Sequence, residues 1–177
     1  MADLEWLDPD ELRLFRAFAR SARWLYVQLD RDLQREVDMP RAYFEILWLL
    51  HDAPDWTLRM SDLAAATGTQ PSRITHAVSR LEQAGQVRRE LCTDDRRGWF
   101  TILTNEGLAA LEAAAPHYAK SVREHLVEPL SSQQREQLSR IGESLLAHLE
   151  SSGAALPSSP AASKQAVSTG APVNQTA

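Results

Sequence analysis

Two short helical patterns separated by a glycine-containing turn constrain the fold of this chain more than any other feature. In the first, SDLAAATG, Ser61 is placed to cap a helix and Gly68 can adopt the left-handed backbone conformation of a tight turn. The second covers 71–84, and its apolar residues share one helical face: Ile74, Val78 and Leu81. Two short helices joined by such a turn predict a helix-turn-helix.

Two segments of alternating side chains follow the second helix directly. Residues 87–91 and 99–104 have the period of strands, and the turn CTDDRRG between them carries two acids and two arginines. A helix-turn-helix followed by a two-stranded hairpin is a winged helix-turn-helix. The predicted fold class is therefore mainly α with a small β-wing.

Longer helical patterns lie on both sides of this unit. A long amphipathic helix is predicted from Asp10 to about Arg35, and an apolar, buried helix over Pro40–His51. A short strand-like segment over Thr57–Met60 precedes the helix-turn-helix. After the wing, Thr104 is predicted to cap a fifth helix that extends to Glu128, and a capping box at Ser131 is predicted to start a last helix. The apolar stripes of the end helices exceed what a small wing domain can cover, which predicts a two-fold homodimer.

These patterns predict four segments along the chain. They are an N-terminal dimerisation helix over 1–39, a winged helix-turn-helix DNA-binding domain over 40–104, C-terminal dimerisation helices over 105–150, and a tail over 151–177. The tail consists largely of Ala, Ser, Pro, Thr, Gly and Gln with one charge, so its burial cannot offset the entropy of ordering, and we expect it to be disordered.

Charge and cysteine content restrict the possible partners and location. The net charge is −5, yet residues 59–105 carry 7 basic and 5 acidic side chains, a local net charge of +2 that favours a polyanion at this face. With only one cysteine the chain cannot form an internal disulfide. Apolar runs are too short to cross a membrane, and the acidic N-terminus lacks the features of a signal peptide. We therefore expect a cytoplasmic protein with no membrane partner.

The order of these elements over 10–150 resembles the MarR family of bacterial transcriptional regulators. The segments that carry the resemblance are Leu81-Glu82-x-x-Gly85, the wing tip Asp95-Arg96-Arg97, and Leu103-Thr104-x-x-Gly107. The resemblance implies a homodimer with interlocked end helices that binds a double-stranded, pseudo-palindromic operator, most simply as a repressor. It also implies that small phenolic or anionic ligands, or oxidants, loosen the contact with DNA.

The second helix of the helix-turn-helix, over 71–84, is the expected recognition helix. It has a polar face opposite its apolar stripe. In this position we expect Arg73 to read a guanine, Ser72, Thr75 and His76 to make shorter contacts to bases or phosphates, and Arg80 to meet a phosphate. Gln70, where the helix begins, is also expected to contact DNA, and Thr69 is a candidate cap there. The alternatives are a plain surface histidine at position 76 and a surface ion pair at position 80.

Arginines at the wing tip suit the narrow and negative minor groove of DNA. By resemblance, Asp95 and Arg97 form a carboxylate–guanidinium brace, while Arg96 or Arg97 enters the groove. The sequence leaves open which arginine has which role. Asp94 is assigned no DNA contact.

The same resemblance implies an effector site where the dimer helices join the wing domain. Aromatic walls with one arginine from the first two helices would suit a small aromatic acid there. The candidates are Arg16, Arg20, Arg23, Trp24, Tyr43, Trp48 and His51. Ordinary core aromatics and surface arginines are the alternative interpretation.

Two other mechanisms of regulation or function compete with these. Cys92 ends a wing strand, where oxidation would tilt the wing, and a winged helix used only for protein–protein contact predicts no operator. No phosphate loop, CxxC or HExxH motif is present, and the five histidines are scattered. We therefore expect no catalytic residues, no cofactor and no metal.

Overall fold

The long N-terminal helix and the apolar helix after it are both present, with slightly shifted ends. The computed structural model describes residues 6–91 and 98–152. Helix α1 covers Pro9–Val37 and starts at a capping box of Asp8 and Glu11, while α2 covers Arg41–Asp52, with Pro40 just before it. None of the described helices is long and apolar enough to cross a bilayer.

The winged helix-turn-helix follows in the predicted order. It comprises strand β1 (Thr57–Arg59), helix α3 (Met60–Ala66), helix α4 (Pro71–Gln83), and strands β2 (Val87–Leu91) and β3 (Trp99–Leu103). Gly68 has the predicted left-handed backbone, with φ of 59°. The prediction of a Ser61 cap is wrong. Because Arg59 is still paired in the sheet, α3 starts directly after β1, and the Ser61 hydroxyl donates to the Asp62 carboxylate at 3.1 Å.

The wing is a three-stranded antiparallel sheet in the order β1-β3-β2, whereas the sequence predicted a two-stranded hairpin. Residues Val87 and Leu91 pair with Leu103 and Trp99, and β1 pairs with the other edge of β3. The strand-like segment before α3 was predicted, but its partner lies more than forty residues further along the chain, so local pattern could not assign the pairing.

The core lies around α2, as its apolar sequence predicted. Leu47 and Leu50 are fully buried and pack with Leu63 of α3, Val78 of α4 and Leu103 of β3. This burial fixes the recognition helix against the domain, because apolar surface removed from water stabilises the packed arrangement.

Helix α5 (Asn105–Val122) starts where its cap was predicted. The Thr104 hydroxyl accepts a hydrogen bond from the Gly107 amide at 3.0 Å and donates one to the Gly85 carbonyl at 2.7 Å, which ties α5 to the end of α4. The helix then continues as a turn of π-helix over Arg123–Val127, and α6 (Ser132–Ser151) starts at the predicted capping box of Ser131.

A buried carboxylate joins α1 to α5 and the π-helical turn. The Asp32 carboxylate accepts a hydrogen bond from the Ser121 hydroxyl at 2.6 Å and lies 2.9 Å from the His125 ring nitrogen. Gln28 donates to its other oxygen at 2.9 Å, and the Arg35 guanidinium lies 3.1 Å from that oxygen. Burial raises the pKa of Asp32, but these hydrogen bonds and the arginine charge outweigh it, so the pKa lies below its usual value.

Candidate nucleic-acid interface

Helix α4 has one buried face and one exposed polar face. Ile74, Ala77, Val78 and Leu81 are buried. The side chains on α4 or just before it that the sequence proposed for DNA contact are exposed: Gln70, Ser72, Arg73, Thr75, His76 and Arg80. The apolar residues hold the helix against the core, and the polar residues project from the opposite side.

Local contacts define what the exposed side chains can offer. The Thr75 hydroxyl donates to the Pro71 carbonyl at 2.9 Å, so its oxygen can still accept a hydrogen bond from outside, and the residue is exposed. The Arg80 guanidinium donates weakly to the Gln83 side chain at 3.4 Å. Within residues 6–91 and 98–152, Arg73 has no ion-pair partner, and its guanidinium is available to an external acceptor.

The helix starts without a side-chain cap, and the candidate cap at Thr69 is wrong. The Thr69 hydroxyl donates to the Thr67 carbonyl at 3.2 Å, and Gln70 is the residue before the first helical turn. Pro71 in that turn has no N–H group to satisfy, which lowers the cost of the missing cap. The Gln70 side chain therefore stays exposed at the end of the helix.

The wing tip lies outside the described residues. This applies to Cys92, Asp94, Asp95, Arg96 and Arg97, and therefore to the predicted brace, minor-groove arginine and redox site. Of the strands on either side of the tip, β2 lies against α4, and β3 pairs with β2.

A link between α4 and the wing was not predicted from sequence. The Arg89 side chain of β2 donates two hydrogen bonds to one oxygen of Glu82 on α4, the first from Nε at 2.8 Å. The Arg89 guanidinium also lies 5.9 Å from the centre of the Trp99 ring. The hydrogen bonds from Arg89 lower the pKa of Glu82, so the Glu82 carboxylate is ionised at neutral pH. Glu82 belongs to the Leu-Glu-x-x-Gly motif, but only the folded structure shows its partner.

A cavity of about 560 Å³ lies between α2 and α5. Its walls are mostly apolar and aromatic. The Phe44 and Tyr118 rings stack at 4.4 Å, and the Trp48 ring meets them edge-on at 5.8 and 6.5 Å. The full lining consists of Phe44, Trp48, His51, Asp52, Leu108, Leu111, Glu112, Ala115, Tyr118, Ala119, Val122 and Arg123.

The structure brings two of the seven predicted effector residues into this cavity, Trp48 and His51. Tyr43 is partly buried in α2 but does not line it, and the α1 candidates Arg16, Arg20, Arg23 and Trp24 are exposed elsewhere. The contributions of α5 and of Asp52 were not predicted from sequence. The four-residue spacing of Trp48 and Asp52 on α2 was the available signal, because such residues face the same side of a helix.

The exposed α4 face, the adjoining three-stranded wing and the long flanking helices define a winged helix-turn-helix protein. The family model described as the MarR family matches residues 37–98. Transcriptional regulator HosA of Escherichia coli is 30% identical over 115 residues, which cover 64% of this chain and 83% of HosA. The HTH-type transcriptional repressor YetL of Bacillus subtilis is 38% identical over 78 residues, 44% of this chain and only 47% of YetL.

A solved structure extends the similarity over most of the chain. Sco3205, a MarR family transcriptional regulator from Streptomyces coelicolor that was crystallised in complex with DNA, is 38% identical with a TM-score of 0.76. The alignment covers 89% of this chain and 98% of Sco3205. The chain belongs to the MarR family of transcriptional regulators.

Proposed function

We propose that this protein is a homodimeric repressor that places α4 in the major groove and its wing at the adjacent minor groove of an operator. The observation that carries the proposal is the exposed polar face of α4, with Arg73 free of ion pairs to the described residues and its apolar face locked into the core. An α-helix of this kind fits the major groove, and residues near its N-terminus reach base edges.

Exposed apolar surface on the end helices supports the dimer. Helix α6 has no buried residue, and large apolar side chains on it are about half exposed, including Ile141 at 54%. Phe15 and Phe18 of α1 are exposed to a similar degree. In this proposal the segments 1–39 and 105–150 pair across a two-fold axis, and 40–104 contacts DNA. A two-fold protein then requires a pseudo-palindromic operator.

We also propose that a small aromatic ligand in the α2–α5 cavity releases the operator. The cavity volume of about 560 Å³ is typical of small-molecule sites, and its walls are largely aromatic and aliphatic. It lies between α2, on which the winged helix packs, and α5, which leads to α6, so a ligand there would alter how the two parts of each subunit are joined. The relative YetL is named a repressor, which favours repression over activation.

Selection of DNA fragments from a random pool tests the base-reading role of α4. Wild-type protein should return a two-fold symmetric consensus, and Arg73→Ala should lose preference at one position in each half-site by about 1–3 kcal/mol. Lys120→Ala, which removes an exposed charge from α5, is the control and should return the wild-type consensus. An unchanged consensus for Arg73→Ala would remove that residue from the interface.

The wing needs a separate test because its tip lies outside the described residues. Arg97→Ala should weaken binding to one operator by at least about 1 kcal/mol and reduce the salt dependence of the affinity. If the wild-type protein selects no DNA sequence at all, a protein–protein interaction module becomes the better description.

A further inference from the structure

The ionisable groups around the α2–α5 cavity do not match an anionic ligand. The lining includes the carboxylates of Asp52 and Glu112 and the guanidinium of Arg123, besides His51. None of the α1 arginines that favoured an anion in the sequence lines the cavity. The nearby Arg41 guanidinium is paired with Glu45 at 2.7 Å, so this pair adds no net charge beside Tyr118.

Burial decides which of these charges a ligand would meet most strongly. Glu112 and Arg123 are both exposed, so water and salt screen them and their opposite charges largely offset each other. The Asp52 side chain is only 20% exposed. A partly buried carboxylate acts through a medium of lower dielectric constant, and its interaction with a ligand charge is correspondingly stronger.

Asp52 is also held in a fixed orientation. The Trp48 indole N–H donates to one carboxylate oxygen at 2.7 Å, and the His51 Nδ1 atom lies 3.0 Å from the other. Each oxygen can accept a further hydrogen bond or face a cation. Because the Asp52 carboxylate is already oriented, its side chain loses little conformational entropy when a ligand binds.

Three aromatic rings complete the site. Phe44, Trp48 and Tyr118 lie within 6.5 Å of one another, measured between ring centres. Ring faces carry negative potential and attract organic cations, most strongly when the site is sheltered from water. Burial raises the pKa of Tyr118, so this residue remains an uncharged phenol at neutral pH.

We propose that this cavity binds an aromatic organic cation, with Asp52 as its counter-charge and Phe44, Trp48 and Tyr118 as its walls. The proposal rests on the effector site proposed above and assigns its ligand class. It specifies selectivity by charge: among ligands of the same ring system, the cation binds more tightly than the neutral compound, and the anion binds most weakly.

Three naphthalene derivatives test this order in the full-length protein: trimethyl(2-naphthylmethyl)ammonium, 2-naphthylmethanol and 2-naphthoate. Isothermal titration should show the ammonium compound binding about tenfold more tightly than the naphthoate, with the alcohol in between. Equal or tighter binding of the naphthoate would overturn the proposal, and so would the absence of binding by all three compounds.

Two matched variants locate the charge responsible. Asp52→Asn should lower the affinity for the ammonium compound about tenfold while leaving the affinity for 2-naphthylmethanol unchanged. Glu112→Gln, which removes an exposed carboxylate from the same lining, should change both affinities less than about twofold. An ammonium affinity that is insensitive to Asp52→Asn in a folded variant would overturn the role of Asp52. If that variant does not fold, the ligand series on the wild-type protein still tests the selectivity by charge.

Operator release separates this inference from the proposed function. If the ammonium compound binds in the predicted order but leaves an operator complex intact, the ligand class stands and the effector role fails. If the naphthoate binds best and releases the operator, the effector role stands and the ligand class is wrong.

Discussion

Helix α4 and the C-terminal helix α6 both have an apolar stripe along one face, but the two stripes lie in opposite environments. In α4 the apolar face is buried by the rest of the same chain, down to complete burial at Val78. In α6 the apolar face remains uncovered, with Leu145 43% and Leu149 45% exposed. An amphipathic pattern therefore predicts that a face will be covered but does not identify what covers it.

This contrast divides the molecule into two kinds of region. The winged helix-turn-helix packs around α2 in one buried core, to which Leu33 of α1 and Leu111 of α5 also contribute. The end helices are tied to the wing domain by the hydrogen bonds of Thr104 and to each other at Asp32, but a large part of their apolar surface has no cover from within the described chain. Four substitutions test whether the two regions differ in this way.

A charge on the uncovered face of α6 should have the largest effect. Leu145→Asp would place a carboxylate in the proposed dimer interface, where it loses hydration without gaining a partner. We expect monomers on sedimentation and operator affinity lowered by about 100-fold or more, because two linked DNA contacts become one. Ala147→Asp adds the same charge to an exposed position on the opposite side of α6 and should remain dimeric. A dimeric Leu145→Asp variant would refute the proposed interface.

A methyl group at Gly107 should destabilise the junction between α5 and the wing domain. A Cβ atom there would overlap the Gln86 carbonyl oxygen and lie 2.7 Å from Leu103 Cδ1. Gly107→Ala should lower the free energy of unfolding in urea by about 3 kcal/mol, because a packed backbone cannot move aside easily. Ala109→Ser enlarges an exposed side chain of the same turn and should have little effect. Equal stabilities would show that the junction is loosely packed.

The Asp32 site should contribute a smaller and pH-dependent stability. Asp32→Asn should cost about 2 kcal/mol at neutral pH, because hydrogen bonds to a buried charge are lost. The folded-state pKa of Asp32 lies below its ordinary value of 3.8. The carboxylate therefore stabilises the fold above pH 3.8, and this contribution disappears as the pH falls through the folded-state pKa.

Urea unfolding at a series of pH values measures this contribution. The difference between wild type and Asp32→Asn should shrink in acid, whereas the exposed Asp62→Asn control should differ little from wild type throughout. A constant difference across the acid range would mean that Asp32 acts through packing and not through its charge.

The smallest effect is expected within the winged helix itself, at the Glu82–Arg89 pair. Both side chains are about one-third exposed, at 34% and 30%, so Glu82→Gln should cost about 1 kcal/mol or less of stability. Operator affinity should fall more than stability does, because the pair connects α4 to the wing and both touch DNA in the proposed complex. The exposed Glu112→Gln substitution is the control for loss of a negative charge. An unaltered operator affinity would show that the wing keeps its orientation without this pair.

Much of the winged helix was predictable because its determinants are local. The apolar spacing of Ile74, Val78 and Leu81, the left-handed Gly68 and the caps at Thr104 and Ser131 all appear as predicted. The predicted caps at Ser61 and Thr69 both failed because the helix starts at a different residue from the one that the local sequence indicates. Each hydroxyl is near a helix start, but the position of that start depends on a distant strand or a neighbouring proline.

The effector candidates show where local reasoning ends. Trp48 and His51 were predicted from an aromatic, amphipathic α2, but the opposite wall of the cavity comes from α5. The α1 arginines are spaced so that they share one helical face, as residues that line a cavity would be, but they remain exposed to solvent. A helical period indicates which side chains share a face, and it contains no information about the element that this face meets.

The order of helices and strands, their caps and the polar face of α4 follow from residues that are close in sequence, because backbone hydrogen bonds and side-chain periodicity act over a few positions. Asp32 contacts Ser121 and His125, which lie 89 and 93 positions further along the chain. The cavity and the pairing of β1 with β3 also depend on distant segments. These features required the folded chain, because contacts of this kind arise when whole elements pack and are not encoded in the spacing within any one of them.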